Sequence, residues 1–260
     1  MSLGFNLGFN YNRFRGGGGN TAFIIEVDTS KAGSNSNQFQ FTGAQGNYDV
    51  VAKQNGIVVQ TFRDLSDQET ITFSNGTGVY VLEVSAKEDN GFNRISFNNS
   101  GDKLKITDIK QWGNIVWSSF ERAFFGCSNM LVTATDIPDL SSVTNMLVMF
   151  RNASSANPDV SNWDVSNVTN MDRVFTDASS ANPDTSNWNV SSANNMNSIF
   201  LNTNISIENL TACYENWSQL TVQQNVTFGA GTIKYNASGQ AGRDILVNTF
   251  NWNITDGGQS

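Results

Sequence analysis

The chain of 260 residues contains no histidine. That absence removes imidazole acid–base chemistry, Ser-His-Asp triads and histidine metal sites together. Cysteine is scarce: Cys127 and Cys213 form neither a Cys-x-x-Cys pair nor a disulfide framework, and both are expected to be buried as small hydrophobes. Three prolines and the lack of any long apolar run exclude a collagen-like chain and membrane insertion through an apolar helix. Charged residues make up 15% of the chain, against about 25% in an average soluble protein. The net charge is −8, and no basic patch is visible along the sequence beyond Arg13 and Arg15. Nucleic acid and anionic lipid are therefore not expected as partners. No Asp-x-Asp-x-Asp-Gly loop occurs, so Asp139, Asp159 and Asp164 read as solvated turn residues, and neither a metal nor another cofactor is expected. Glycosidase chemistry needs two carboxylates, and the repeats described below carry Asn where catalysis would need Glu, so the chain is expected not to be an enzyme.

Asn, Ser, Thr and Gly take the place of the missing charges. That composition suits β-rich, turn-dense structure, because Asn and Gly tolerate left-handed backbone and satisfy turns locally. Eighteen Phe and six Trp supply a core. From residue 21 to about 104, period-two segments alternate with turn clusters. Phe23 to Val27, Phe39 to Phe41, Tyr48 to Ala52, Gly56 to Gln60, Glu69 to Phe73 and Val79 to Val84 read as strands, the third and fourth as a hairpin. With no helical stretch between them, they predict a small antiparallel sandwich.

Residues 105–260 contain an internal repeat. Val143-Thr144-Asn145-Met146 returns as Val168-Thr169-Asn170-Met171 and as Ala193-Asn194-Asn195-Met196, at intervals of 25 residues. Phe125, Phe150, Phe175 and Phe200 keep the same interval of 25. Residues 153–159 match 178–184, and Ser161-Asn162-Trp163 matches Ser186-Asn187-Trp188. A fixed period of this length predicts a solenoid with a C-terminal cap, one coil per repeat. Within each coil, apolar residues at i, i+3 and i+7 predict a short helix over residues 143–150 and its copies. Met146, Met171 and Met196, Trp163 and Trp188, and the four phenylalanines are the candidate core ladders. Asn145, Asn170 and Asn195 are expected to bond backbone within their own coils.

Residues 1–20 repeat Leu-Gly-Phe-Asn twice and end in the glycine run Gly16 to Gly19, a flexible hinge. Nothing in residues 1–15 reads as a signal peptide. Two readings are open: a frayed tail, or a docking peptide with Phe5, Phe9, Tyr11 and Phe14 as anchors and Arg13 and Arg15 as partners for carboxylates.

The unit Val-Thr-Asn-Met with Met149-Phe150 and Asn162-Trp163-Asp164-Val165-Ser166 resembles the BspA-like leucine-rich repeats, also called DUF285 or the mycoplasma-type surface-protein repeat. Gly101 to Ile106 with Gln111-Trp112-Gly113 looks like the usual lead-in to such an array. Phe125-Gly126-Cys127-Ser128-Asn129 resembles its first coil and Trp252 to Gly258 its exit. The preceding sandwich is similar to a degenerate PKD-like (Ig-like) domain, with Gly78 to Leu82 in place of that family's Gly-Thr-Tyr strand. The resemblance implies a mixed, β-rich fold: docking peptide and hinge over 1–20, β-sandwich over 21–104, leucine-rich-repeat-type solenoid over 105–260. It also implies a non-enzymatic binding or adhesion module of bacterial surface or bacteriophage virion proteins. Combined with residues 1–15, the expected role is a virion fibre, spike or decoration subunit. It would dock to other virion proteins, show the repeats to a host-surface glycan or protein, and be open to homo-oligomerisation. The alternative is a bacterial cell-surface adhesin, and the third reading, disfavoured by the missing histidine and the scaffold-like repeats, is a carbohydrate-acting enzyme.

Overall fold

The computed structural model describes residues 22–87 and 91–260. The expected docking residues Phe5, Phe9, Tyr11, Arg13, Phe14 and Arg15 and the glycine run lie outside the described residues. In chain order the first strands are β1 (Phe23–Asp28), β2 (Gln38–Gln40), β3 (Asn47–Gln54), β4 (Ile57–Ser66), β5 (Thr70–Thr72), β6 (Val79–Ala86), β7 (Ile106–Gln111) and β8 (Leu131–Val132). Alternation in β1, β3 and β6 turns Phe23, Ile25 and Val27, Tyr48, Val50 and Ala52, and Tyr80, Leu82 and Val84 to one buried face. The opposite face is mixed, with Ile24, Val51 and Val81 among charged residues such as Glu26 and Asp49, and Lys53 Nζ lies 2.6 Å from Glu83 Oε1. β3 and β4 join through Asn55 and Gly56, at φ 50° and 78°; positive φ at both central residues is the two-residue turn whose twist suits a hairpin. β2 and β5 pair apart from the main sheet and add Phe39 and Ile71 to the same core.

The main sheet has six strands in the order β4-β3-β6-β1-β7-β8, and it departs from the expected antiparallel sandwich. β7 lies beyond residue 104 yet pairs antiparallel with β1, and β8 joins β7 in parallel, so the sheet is mixed. Without β7, β1 would be an open edge offering unpaired N–H and C=O groups. The core crosses the expected boundary too. Phe23 on β1 packs against Trp112 and Trp117 at 6.1 and 5.1 Å between ring centroids.

A fully buried ion pair fastens this junction. Lys105 Nζ donates to the carbonyls of Ser34, Asn35 and Gln38 at 2.8–2.9 Å and stands 3.7 Å from Asp102 Oδ2. Asp102 in turn accepts from the Ser34 and Gln40 N–H groups and the Ser34 hydroxyl at 2.5–2.7 Å. The loop comes so near that a Cβ on Gly33 would lie 2.2 Å from Asp102 Oδ1.

Beyond the sheet, successive repeats lie side by side. The pairs Asn145–Asn170 and Asn170–Asn195 form parallel bridges. The short helix expected over residues 143–150 and its copies does not form; these residues are turns. Their N–H groups point to the next repeat instead: Phe150 N–H donates to Val174 O at 2.8 Å and Phe175 N–H to Ile199 O at 3.1 Å. An α-helix would need those donors four residues back along the same segment. Val148, Arg173 and Ser198, at φ 50°, 55° and 51°, turn each repeat out of the right-handed path.

The C-terminal region contributes α1 (Ile207–Trp217), β9 (Thr227–Gly229), α2 (Gln240–Phe250) and β10 (Asn253–Thr255). Ser206 caps α1 by accepting from the Asn209 N–H at 3.1 Å. Asp256 ties the elements together, accepting from the Tyr214 hydroxyl and Arg243 Nε, both at 2.7 Å. The described chain is thus β-rich, with one mixed sheet, two small two-stranded sheets and few helices.

Candidate functional site

The repeated polar residues hold the backbone. Asn145, Asn170 and Asn195 each accept through Oδ1 from the N–H two residues on, at 2.9–3.1 Å. Asp139, Asp159 and Asp164 accept in the same way from Ser141, Ser161 and Ser166 at 3.0–3.1 Å. Hydrogen bonds from these serines, hydroxyl first and backbone N–H second, hold the three carboxyls below the usual aspartate range. Among the described residues no group of three or more His, Cys, Asp or Glu could hold a metal ion. Cys127 and Cys213 are free and fully buried. Burial pushes the Cys127 thiol well up and the Cys213 thiol to about 12, so neither is poised as a nucleophile.

The apolar repeat residues form columns through the core. Met146, Met171 and Met196 are fully buried. Phe150 stacks on Phe175 at 5.7 Å and Phe175 on Phe200 at 6.2 Å. The tryptophans pack on these phenylalanines, Trp163 on Phe150 and Trp188 on Phe175, both at 6.4 Å. At the start of the column the residue is Phe124, not Phe125. Phe124 stacks on Phe150 at 5.6 Å, and its N–H donates to Met149 O at 2.9 Å. The first repeat is one residue out of step with the later interval of 25, because Phe124 and Phe150 are 26 apart. The column also reaches back to Phe97, 6.5 Å from Phe124.

Displaced from the core, Phe125 lies half-buried on the outer turn face, where the Arg151 guanidinium sits 5.4 Å from its ring centroid. Around them is a hollow of about 490 Å³ whose lining includes Asn98, Arg122, Phe125, Val148, Arg151 and Arg173. Arg122 and Arg173 occupy the left-handed turn positions on either side of Val148. That conformation is costly for a β-branched residue, so the neighbouring repeats must impose it on Val148. Arg122 pairs with Glu121 at 3.3 Å and Arg173 with Asp172 at 2.9 Å. Arg151 has no carboxylate within 4.0 Å among the described residues, and its buried Nε has no hydrogen-bond acceptor. Three arginines thus meet around the hollow, two of them balanced by Glu121 and by Asp172, which itself lines it, so the uncompensated positive charge there rests on Arg151. The three arginines are spread over some fifty positions of sequence, and only the stacking of repeats gathers them. The signal available in sequence was the arginine at one turn position in alternate repeats, Arg122 and Arg173. A second cleft, of about 420 Å³ among loops 43–46 and 67–68, has two of its side-chain acceptors already engaged. Asp67 Oδ1 accepts from the Gly46 N–H at 3.0 Å and Gln68 Oε1 from the Gly43 N–H at 3.2 Å.

Residues 118–238 match the family described as Mycoplasma protein of unknown function, DUF285. The similarity covers the stacked repeats and α1, and leaves the strands of the main sheet before Ser118 outside it. No curated protein and no solved structure matches the chain.

Proposed function

We propose that this chain is a non-enzymatic display protein of a virion surface, a fibre, spike or decoration subunit, with residues 118–238 as a short solenoid and the preceding strands as a sandwich-like base. The observation that carries the reading is the division of labour among repeat residues. Asn, Asp and Ser hold their own turns, Met, Phe and Trp fill the interior, and the arginine-lined hollow is left facing outward. That arrangement supports binding rather than turnover. Attachment rests on the sequence of residues 1–15, whose four aromatics offer large contact area with few rotors to freeze and whose two arginines suit carboxylates on a receiving subunit. The test is deletion of residues 1–15. The shortened protein should stay folded by circular dichroism and fail to join the particle; normal incorporation would overturn the docking role. A second reading, a cell-surface adhesin, is favoured by the cellular origin named in the matching family's description. It would gain from surface display of the protein on cells that carry no phage.

A further inference from the structure

We infer that the hollow between Arg122, Arg151 and Arg173 binds an acidic saccharide, with a carboxylate or sulfate on the Arg151 guanidinium and a sugar ring over Val148 and Phe125. This rests on the binding reading above but on neither the virion nor the attachment. Three observations carry it. First, the site is electrostatically unfinished: Arg122 and Arg173 have acidic partners, whereas Arg151 has none and keeps a buried Nε without an acceptor. An incoming anion supplies Arg151 with the charge partner its two neighbours already have, meeting the guanidinium at its terminal nitrogens because the Nε is closed to solvent. Second, the floor is apolar: Val148 is buried, while Leu147 and Phe125 are half-buried beside it. A few convergent polar groups over an apolar floor, within about 300–1,000 Å³, is the usual form of a small-ligand site. Third, the surroundings select a short ligand. Asp172 lines the hollow itself, paired with Arg173, and Glu121 is paired with Arg122; with −8 on the whole chain, a long polyanion would be repelled along most of its length.

A peptide fits less well. The N–H groups of Arg122, Val148 and Arg173 already donate to the carbonyls of Leu147, Asp172 and Asn197 at 2.8–2.9 Å. Little main chain is left there for strand addition, the mode by which extended peptides gain affinity. Asn98, exposed at one end of the hollow, offers an amide able both to donate to and to accept from sugar hydroxyls.

The experiment is isothermal titration of the whole chain with trigalacturonate, its methyl ester, a heparin-derived tetrasaccharide, inorganic sulfate and a tetra-aspartate peptide. Saturable binding of trigalacturonate or the heparin fragment is expected, and the one that binds says whether carboxylate or sulfate is the recognised group. Arg151→Gln should weaken that binding by at least about tenfold, the loss expected for one charge-assisted bidentate contact, while still unfolding cooperatively and melting no lower than Phe125→Ala, which loses the same cation–π contact. If Arg151→Gln does not fold, Arg122→Gln, at a half-exposed position, carries the same expectation. The inference is overturned if neither saccharide binds, if the ester binds as well as the acid, or if the arginine variants bind like the parent. Binding of sulfate or the peptide alone overturns it too. Since no particle is involved, failure here leaves the attachment experiment untouched, and failure of attachment leaves the site standing.

Discussion

Phe124 and Phe125 are neighbours of identical chemistry with opposite fates, and the difference can be measured. Phe124, Phe150 and Phe175 are fully buried in one stack. Truncating an aromatic side chain in such a place costs about 3–5 kcal/mol, by lost transfer energy and by the cavity left behind. Phe124→Ala and Phe175→Ala should therefore lower stability in urea denaturation by about 3–5 kcal/mol each. Phe125→Ala removes a half-buried ring and one cation–π contact with Arg151, and should cost about 1 kcal/mol or less. Equal losses at positions 124 and 125 would return Phe125 to the core. The interval of 25 could not separate the two, because one extra residue in the first repeat shifts the phase without changing the composition.

Among the elements, the strands with clean alternation were legible in the sequence: β1, β3 and β6 bury every second residue, which is a local property. The β3–β4 hairpin was legible for the same reason, through Asn55-Gly56. The turns of the repeats were not. Residues 143–150 have a helix-like spacing of apolar side chains, but each repeat finds its hydrogen-bond acceptors in its neighbour, and a pattern confined to one segment carries no trace of that. The place of β7 was equally hidden, since strand pairing between residues eighty positions apart leaves no local mark. The arginine hollow needed both kinds of missing information. The junction that β7 creates depends on Lys105. Removing one partner of a buried, hydrogen-bonded ion pair leaves the other charge unpaired and costs about 3–5 kcal/mol. Lys105→Met should destabilise the chain by about that amount in chemical denaturation, because Asp102 and three loop carbonyls lose their cation. A change within error of zero would mean that the loop over residues 33–40 is held by other contacts.

At the scale of the whole molecule, one hydrophobic cluster runs from Phe23 to Trp252, so sheet and repeats should unfold together. The chain provides its own two reporters. Four of the six tryptophans lie in the repeats and the C-terminal region, at position 163 or later, while Trp112 and Trp117 pack on the sheet at Phe23, and the long strands lie between Phe23 and Ala86. Tryptophan fluorescence and the far-ultraviolet strand signal should give superimposable urea transitions, the mark of a single cooperative unit. Two separated midpoints would show that the repeats melt independently of the sheet, as stacked units with only nearest-neighbour contacts can do. The same stacking has a consequence for how such a gene can change. Each repeat donates N–H groups forward, as Phe150 does to Val174 O, and back, as Thr169 does to Thr144 O and Asn194 to Thr169 O, so an added unit between two existing ones meets both with the partners they already expect. The Ala-Ser-Ser-Ala-Asn-Pro-Asp stretches beginning at Ala153 and Ala178 are identical, and slipped copying between them would insert one whole unit in frame. The array would lengthen by about 4.8 Å, the spacing of hydrogen-bonded strands, while the sheet at one end and the helices at the other stayed as they are. Reach, and the number of outward-facing turns, would then be inherited as a copy number, adjustable in a single genetic step and just as easily reversed.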